Sequence, residues 1–171
     1  KYKNERNLRF HMPGHKGKKE VIKNIINKIA EYDVTEVKGT DNLHNPTSII
    51  KNTQKKIAQI YGTKENYILV NGTTGGIISA IMACVKPKEK ILIQRDCHKS
   101  VFSAAILGNI DIEYIYPKYN EQFFLNVGID ILELEKKLKE NPEIKAVVLT
   151  YPTYYGICCD IQEAAKIIHK Y

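Results

Sequence analysis

Tyr67-Ile68-Leu69-Val70-Asn71-Gly72-Thr73-Thr74-Gly75-Gly76 is the stretch that decides the fold. Four branched or aromatic apolar residues predict a buried strand, and the apolar pattern from Gly76 to Val85 predicts a helix directly after the turn. A strand, a glycine-rich turn and a helix start aim free backbone N–H groups and the positive helix end at one point, and small residues let an anion approach it closely. Gly72, Thr73, Thr74 and Gly75 are therefore candidate phosphate-binding residues. The plainer alternative is a tight turn with a threonine helix cap. Neither the nucleotide P-loop, Gly-x-x-x-x-Gly-Lys-Ser/Thr, nor the dinucleotide pattern Gly-x-Gly-x-x-Gly is present.

Outward from this turn, short runs rich in branched residues recur at Ile91 to Ile93, Ile112 to Tyr116 and Ala146 to Leu149. Helical spacing falls between and after them, at Ser100 to Leu107, Asp130 to Glu140 and Asp160 to Tyr171. Strands of near-continuous hydrophobicity, each followed by a helix, imply an α/β fold with a mostly parallel sheet covered on both faces. Lys118 to Val127 reads as a surface excursion. Upstream, Val21, Ile22, Ile25, Ile26, Ile29 and Ala30 mark one buried stripe of a helix from Lys19 to Glu31. An irregular loop from Asp33 to Pro46 follows, of a length often associated with function. A second helix runs from about Thr47 to Tyr61 and stops at Gly62. The expected organisation is an N-terminal arm over residues 1–62 and the first part of an α/β domain over 63–171. The chain ends in or just after a helix where another buried strand is expected, so it reads as part of a longer chain.

The 171 residues are 43% hydrophobic and 26% charged, which predicts a globular protein with a core rather than disorder. No apolar run is long enough to cross a bilayer and no signal-peptide pattern is present, so a cytoplasmic location and no membrane partner are expected. Cys84, Cys97, Cys158 and Cys159 lack the spacing of a disulfide scaffold or a zinc site, and a buried-thiol role is assigned to the adjacent pair Cys158 and Cys159. The net charge of +7 is compatible with an anionic ligand. Its lysines lie along helical stretches such as Lys136, Lys137 and Lys139, which points to solvated faces rather than a nucleic-acid surface.

Two further segments follow strands and should reach the same carboxyl edge of the sheet, where α/β proteins bind ligands. They are Arg95-Asp96-Cys97-His98-Lys99-Ser100 and Thr150-Tyr151-Pro152-Thr153-Tyr154-Tyr155-Gly156. His98 alone reads as a capping or hydrogen-bonded histidine more readily than a catalytic one. His11 and His15 have a helical metal spacing in Phe10-His11-Met12-Pro13-Gly14-His15-Lys16-Gly17, but Pro13 and Gly14 between them argue against a helix and so against zinc.

Together these motifs resemble the ornithine, lysine and arginine decarboxylases, a pyridoxal-phosphate-dependent family with the aspartate-aminotransferase-like fold. Four segments match in order: His11 to Gly17; Thr35-Glu36-Val37 with Gly39, Asp41, Leu43, His44 and Pro46; Asn71 to Thr74; and Arg95 to Ser100 followed by Pro152 to Gly156. The match covers nearly the whole chain. The resemblance implies that Gly72, Thr73, Thr74 and Gly75 hold the phosphate of pyridoxal 5'-phosphate and that His98 stacks on its pyridine ring as a catalytic residue. It further implies that Thr153, in the loop from Pro152 to Tyr155, lines the same pocket. The implied activity is release of carbon dioxide from lysine, arginine or ornithine, giving a diamine or agmatine, in polyamine metabolism. A homodimer or higher homo-oligomer is implied as the working form. The family's cofactor-anchoring lysine and its ring-pairing aspartate are expected beyond Tyr171, so residues 1–171 alone are expected to be inactive. The alternative is a noncatalytic paralogue or assembly module of the same fold.

Overall fold

The computed structural model describes residues 39–171, and the helix expected at Lys19 to Glu31, the His11 to Gly17 motif and the Thr35 to Val37 segment lie outside these. The chain divides between Ile68 and Leu69 into two compact units.

In the first unit, α1 spans Ile49–Tyr61, and Gly62 ends it in the left-handed conformation at φ 65, as the sequence predicts. Its start is capped from a distance. The Asp41 carboxylate accepts the backbone N–H groups of Thr47, Ser48 and Ile50, each at 2.9 Å. Ser48, at the N-cap, makes no side-chain capping bond itself. These N–H donors, Thr47 foremost, hold the Asp41 carboxyl well below the usual carboxylate range. The described end of the Asp33 to Pro46 loop is thus fastened to the helix that follows it.

In the second unit, α2 (Gly72–Cys84) leads into β1 (Lys90–Gln94), α3 (Lys99–Gly108), β2 (Asp111–Ile115), a small hairpin of β3 (Tyr119–Asn120) and β4 (Leu125–Asn126), α4 (Ile131–Glu140), β5 (Ile144–Val148) and α5 (Ile161–Lys170). The three longer strands form a parallel sheet in the order β2-β1-β5. Side chains alternate across it. Ile91 and Ile93 of β1 pack with Ile81 and Val85 of the α2 end and with Val101, Ala104 and Ala105 of α3 on one face. On the other face Leu92 and Ile115 meet Leu134 and Leu138 of α4 and Ala164 of α5. Lys137 reaches from α4 to Glu113 of β2 at 2.6 Å, which pairs that acidic side chain of the strand. Helices on both faces of a parallel sheet are the expected architecture.

The strand expected at Tyr67 to Val70 is not there. The segment pairs with no strand among the described residues, and Tyr67 and Val70 are 76% and 81% exposed. Branched residues supply only a local preference for extended backbone. A strand also needs a neighbour's ladder, and no described strand supplies one to this segment. The predicted helix start also moves. α2 begins at Gly72 rather than Gly76, so the glycine–threonine turn is the helix's own first turn. The surface excursion at Lys118 to Val127 is the β3–β4 hairpin, closed by Lys118 N–H to the Gly128 carbonyl at 2.7 Å.

Candidate functional site

From β1 the chain crosses one face through α3 to β2, then crosses the other face through α4 to β5 on the far side of β1. The loops leaving the carboxyl ends of β1 and β5 therefore diverge to opposite faces. The crevice between such ends is where open α/β sheets take ligands. α2 precedes β1, and its C-terminal end, Ile81 with Val85 just beyond it, packs on Ile91 and Ile93 of β1.

The N-terminal turn of α2 carries the glycine–threonine motif. Gly72 stands at φ 78, a conformation that L side chains rarely adopt. The N-cap Asn71 makes no side-chain capping bond, leaving the first-turn N–H groups without a cap. The threonine cap considered from the sequence does not occur. No described atom lies within 4 Å of a Cβ built on Gly72, whereas one on Gly75 would meet Asn71 Oδ1 at 2.5 Å. Open space at one glycine and close packing at the other suit a phosphate group held by a helix start.

His98 is the N-cap of α3, and its Nδ1 accepts the Ser100 N–H at 3.2 Å and lies 2.8 Å from Ser100 Oγ. Accepting at Nδ1 leaves the proton of the neutral ring on Nε2. The capping role anticipated for a lone histidine is real, and it also orients an exposed imidazole at the site edge. Thr153 is buried at 7% exposure. Its Oγ1 accepts Ile157 N–H at 3.2 Å and its N–H donates to the Ile157 carbonyl at 2.9 Å, so it braces its loop from within. Tyr154 and Tyr155 stand out from that loop, edge to face with centroids 5.5 Å apart.

The buried-thiol role belongs to a different cysteine. Cys158 is exposed and Cys159 only half-buried, while Cys97 in the loop after β1 is buried. Burial pushes the Cys97 thiol up to about 11. Adjacent positions on the outgoing β5 loop cannot both face a core that the loop is leaving. All four cysteines are free, and no group of side chains among the described residues could hold a metal ion. No described helix is long and apolar enough to cross a membrane.

Gln94 closes β1 and belongs to none of the sequence motifs. It is 1% exposed, and its side-chain amide joins Asp96 at 2.8 Å to the N–H of Thr150 at 3.2 Å. The signal was available, because a glutamine closing the wholly apolar run Ile91 to Ile93 needs partners wherever it is buried. Arg95 beside it lies over Phe102 and Tyr114 at 5.3 and 5.4 Å, a packing role.

Comparison with known proteins places this arrangement in a family. The Orn/Lys/Arg decarboxylase major-domain profile matches residues 1–171. The YaaO protein of Bacillus subtilis is 37% identical over 165 residues, covering 95% of this chain and 34% of that protein. An arginine decarboxylase of Halalkalibacterium halodurans is 32% identical over 167 residues, covering 95% of this chain and 34% of that protein. The chain thus spans about a third of these curated relatives. Among solved structures, the lysine decarboxylase LdcF of Francisella novicida superposes with a TM-score of 0.67 at 20% identity, over 96% of this chain and 26% of that one. Cystalysin of Treponema denticola, which contains pyridoxal 5'-phosphate, superposes at 0.59 with 17% identity, over 96% and 40%. These likenesses give the aspartate-aminotransferase-like fold. With the family profile matched end to end, the chain belongs to the Orn/Lys/Arg decarboxylase family, within its major domain.

Proposed function

We propose that the complete protein is a pyridoxal-phosphate-dependent decarboxylase of a basic amino acid, lysine, arginine or ornithine, working as a homo-oligomer. The observation that carries this reading is the glycine–threonine start of α2, whose N-cap makes no side-chain capping bond, in a chain of this family that also carries His98 and Thr153 on loops leaving the carboxyl ends of β1 and β5. The first-turn N–H groups and the hydroxyls of Thr73 and Thr74, with Gly72 keeping the approach open and Gly75 making room for the Asn71 side chain, would hold the phosphate. His98 would lie against the pyridine ring, its orientation set by Ser100. Thr153, braced within its own loop, would shape the wall across the crevice. Bound pyridoxal phosphate supplies an electron sink for the pair released when the Cα–carboxylate bond breaks. The chain's own part is to hold the phosphate, fix the ring plane and keep water from the reacting face.

Residues 1–62 would serve as an arm before the α/β domain of 63–171. By themselves residues 1–171 should release no carbon dioxide, since no position in them matches the family's cofactor-anchoring lysine or ring-pairing aspartate. The test is to purify the complete protein and the 171-residue piece, supply pyridoxal phosphate with lysine, arginine or ornithine in turn, and measure carbon dioxide and amine product. Release by the complete protein alone is expected. A complete protein that binds the cofactor but acts on none of the three would favour the noncatalytic paralogue.

A further inference from the structure

The β1–β5 ladder ends at the Ile93–Val148 pair. Beyond it the two strands' loops part toward opposite faces, and the sheet no longer sets the distance between them. One side chain spans the gap. Gln94 Oε1 accepts the Thr150 N–H at 3.2 Å, and its Nε2 donates to Asp96 Oδ1 at 2.8 Å. The other Asp96 oxygen, Oδ2, accepts from Asn126 Nδ2 at 3.2 Å, which brings in the β3–β4 hairpin. Three segments are thus joined through the buried Gln94 amide and the Asp96 carboxylate.

The amide has a single workable orientation. Flipped, Nε2 would face the Thr150 N–H, donor against donor, and Oε1 would face the Asp96 carboxylate, acceptor against acceptor. A buried side chain with both ends engaged and one orientation is a rigid spacer. On one side of it His98 follows Asp96 by two residues, and on the other Thr153 follows Thr150 by three. Resting on the cofactor site proposed above, we infer that Gln94, acting through Asp96 and the Thr150 N–H, is a positioning residue that sets the separation of His98 from the Thr153 wall. Asn126 extends the same bond chain to the β3–β4 hairpin. The phosphate cup at α2 is not part of this chain of bonds, which separates holding the cofactor from orienting it.

The experiment uses the complete protein loaded with pyridoxal phosphate. It compares Gln94→Leu, Asp96→Ala and Asp96→Asn by bound cofactor, by the visible circular dichroism of the cofactor band, and by kcat and KM. Asp96→Ala carries the test should the buried Gln94→Leu fail to fold, because Asp96 is exposed. Bound cofactor is expected to stay within about twofold of the parent, while kcat falls roughly 10- to 100-fold, the scale of an ångström-sized misplacement. The dichroism amplitude should fall with it. Asp96→Asn keeps an oxygen for Gln94 Nε2 and should recover most of the loss, which a general structural defect would not do. A parent protein with the cofactor band, in which Asp96→Ala leaves dichroism and kcat unchanged, overturns this inference alone. So does an Asp96→Asn loss equal to that of Asp96→Ala. A parent protein with no cofactor band overturns the functional reading and this inference with it.

Discussion

Gly72→Ala in the complete protein separates the backbone's demand at the phosphate cup from the ligand's. Gly72 sits at φ 78 with no described atom within 4 Å of the position a Cβ would take. The new methyl group therefore meets no protein wall, and the whole cost to the ligand-free protein is conformational, about 1–2 kcal/mol for an L residue in left-handed backbone. In the proposed site the same methyl group would stand in the space the phosphate takes. Displacing the anion from even one charge-assisted hydrogen bond costs about 1.5–3 kcal/mol, roughly 10- to 150-fold in Kd. Gly72→Asn provides the control, because asparagine tolerates the left-handed region better but fills the same space. The assay pairs urea unfolding of the ligand-free protein with a pyridoxal-phosphate titration followed by absorbance. Alanine should lower both stability and affinity, and asparagine should recover stability but not affinity. Unchanged affinity in both variants would refute the cup, and a ligand-free alanine variant as stable as the parent would refute the backbone argument.

His98→Ala should lower turnover more than it weakens cofactor retention, with phenylalanine restoring part of the loss if ring stacking is the main role; intact turnover in the alanine variant would remove His98 from the site. With its thiol raised to about 11, Cys97 should be the last cysteine alkylated near pH 8 in a mass-spectrometric time course, well after the exposed Cys158, and its rate should keep rising with pH beyond the range where an ordinary thiol has levelled off. Glu135 is held down to about 2, by Lys170 first and then by Tyr171 and Lys139. A carboxyl depressed on folding contributes stability that is fully present above its unfolded value of about 4.3 and lost as pH falls toward its folded one. Glu135→Gln should therefore be less stable than the parent at neutral pH, and the difference, read from denaturant midpoints by circular dichroism, should close as pH falls through that window.

Much of the architecture could be read because the information was local. Ile91 to Ile93 are a continuous apolar run within β1, and a run of that kind is buried on both faces. Gly62 ends α1 where the sequence places a helix stop, since a left-handed residue closes a helix whatever surrounds it. The order of strands and helices then brings Arg95 to Ser100 and Thr150 to Gly156 to one edge. Tyr67 to Val70 misleads for the same reason. Its residues favour extended backbone, but pairing is a property of neighbours that the four residues do not carry.

By itself, the sequence determined the α/β class and the family, because periodicity, turn chemistry and motif order are written along the chain. Only the tertiary structure decided that the glycine–threonine turn is the first turn of α2, that Asp41 caps a helix starting eight residues later, and that Gln94 bridges two diverging loops 56 residues apart. Each of these depends on which atoms meet across space. A side chain's partner is chosen by the packing of whole elements, and no local pattern around Asp41 or Gln94 encodes where that packing will bring them.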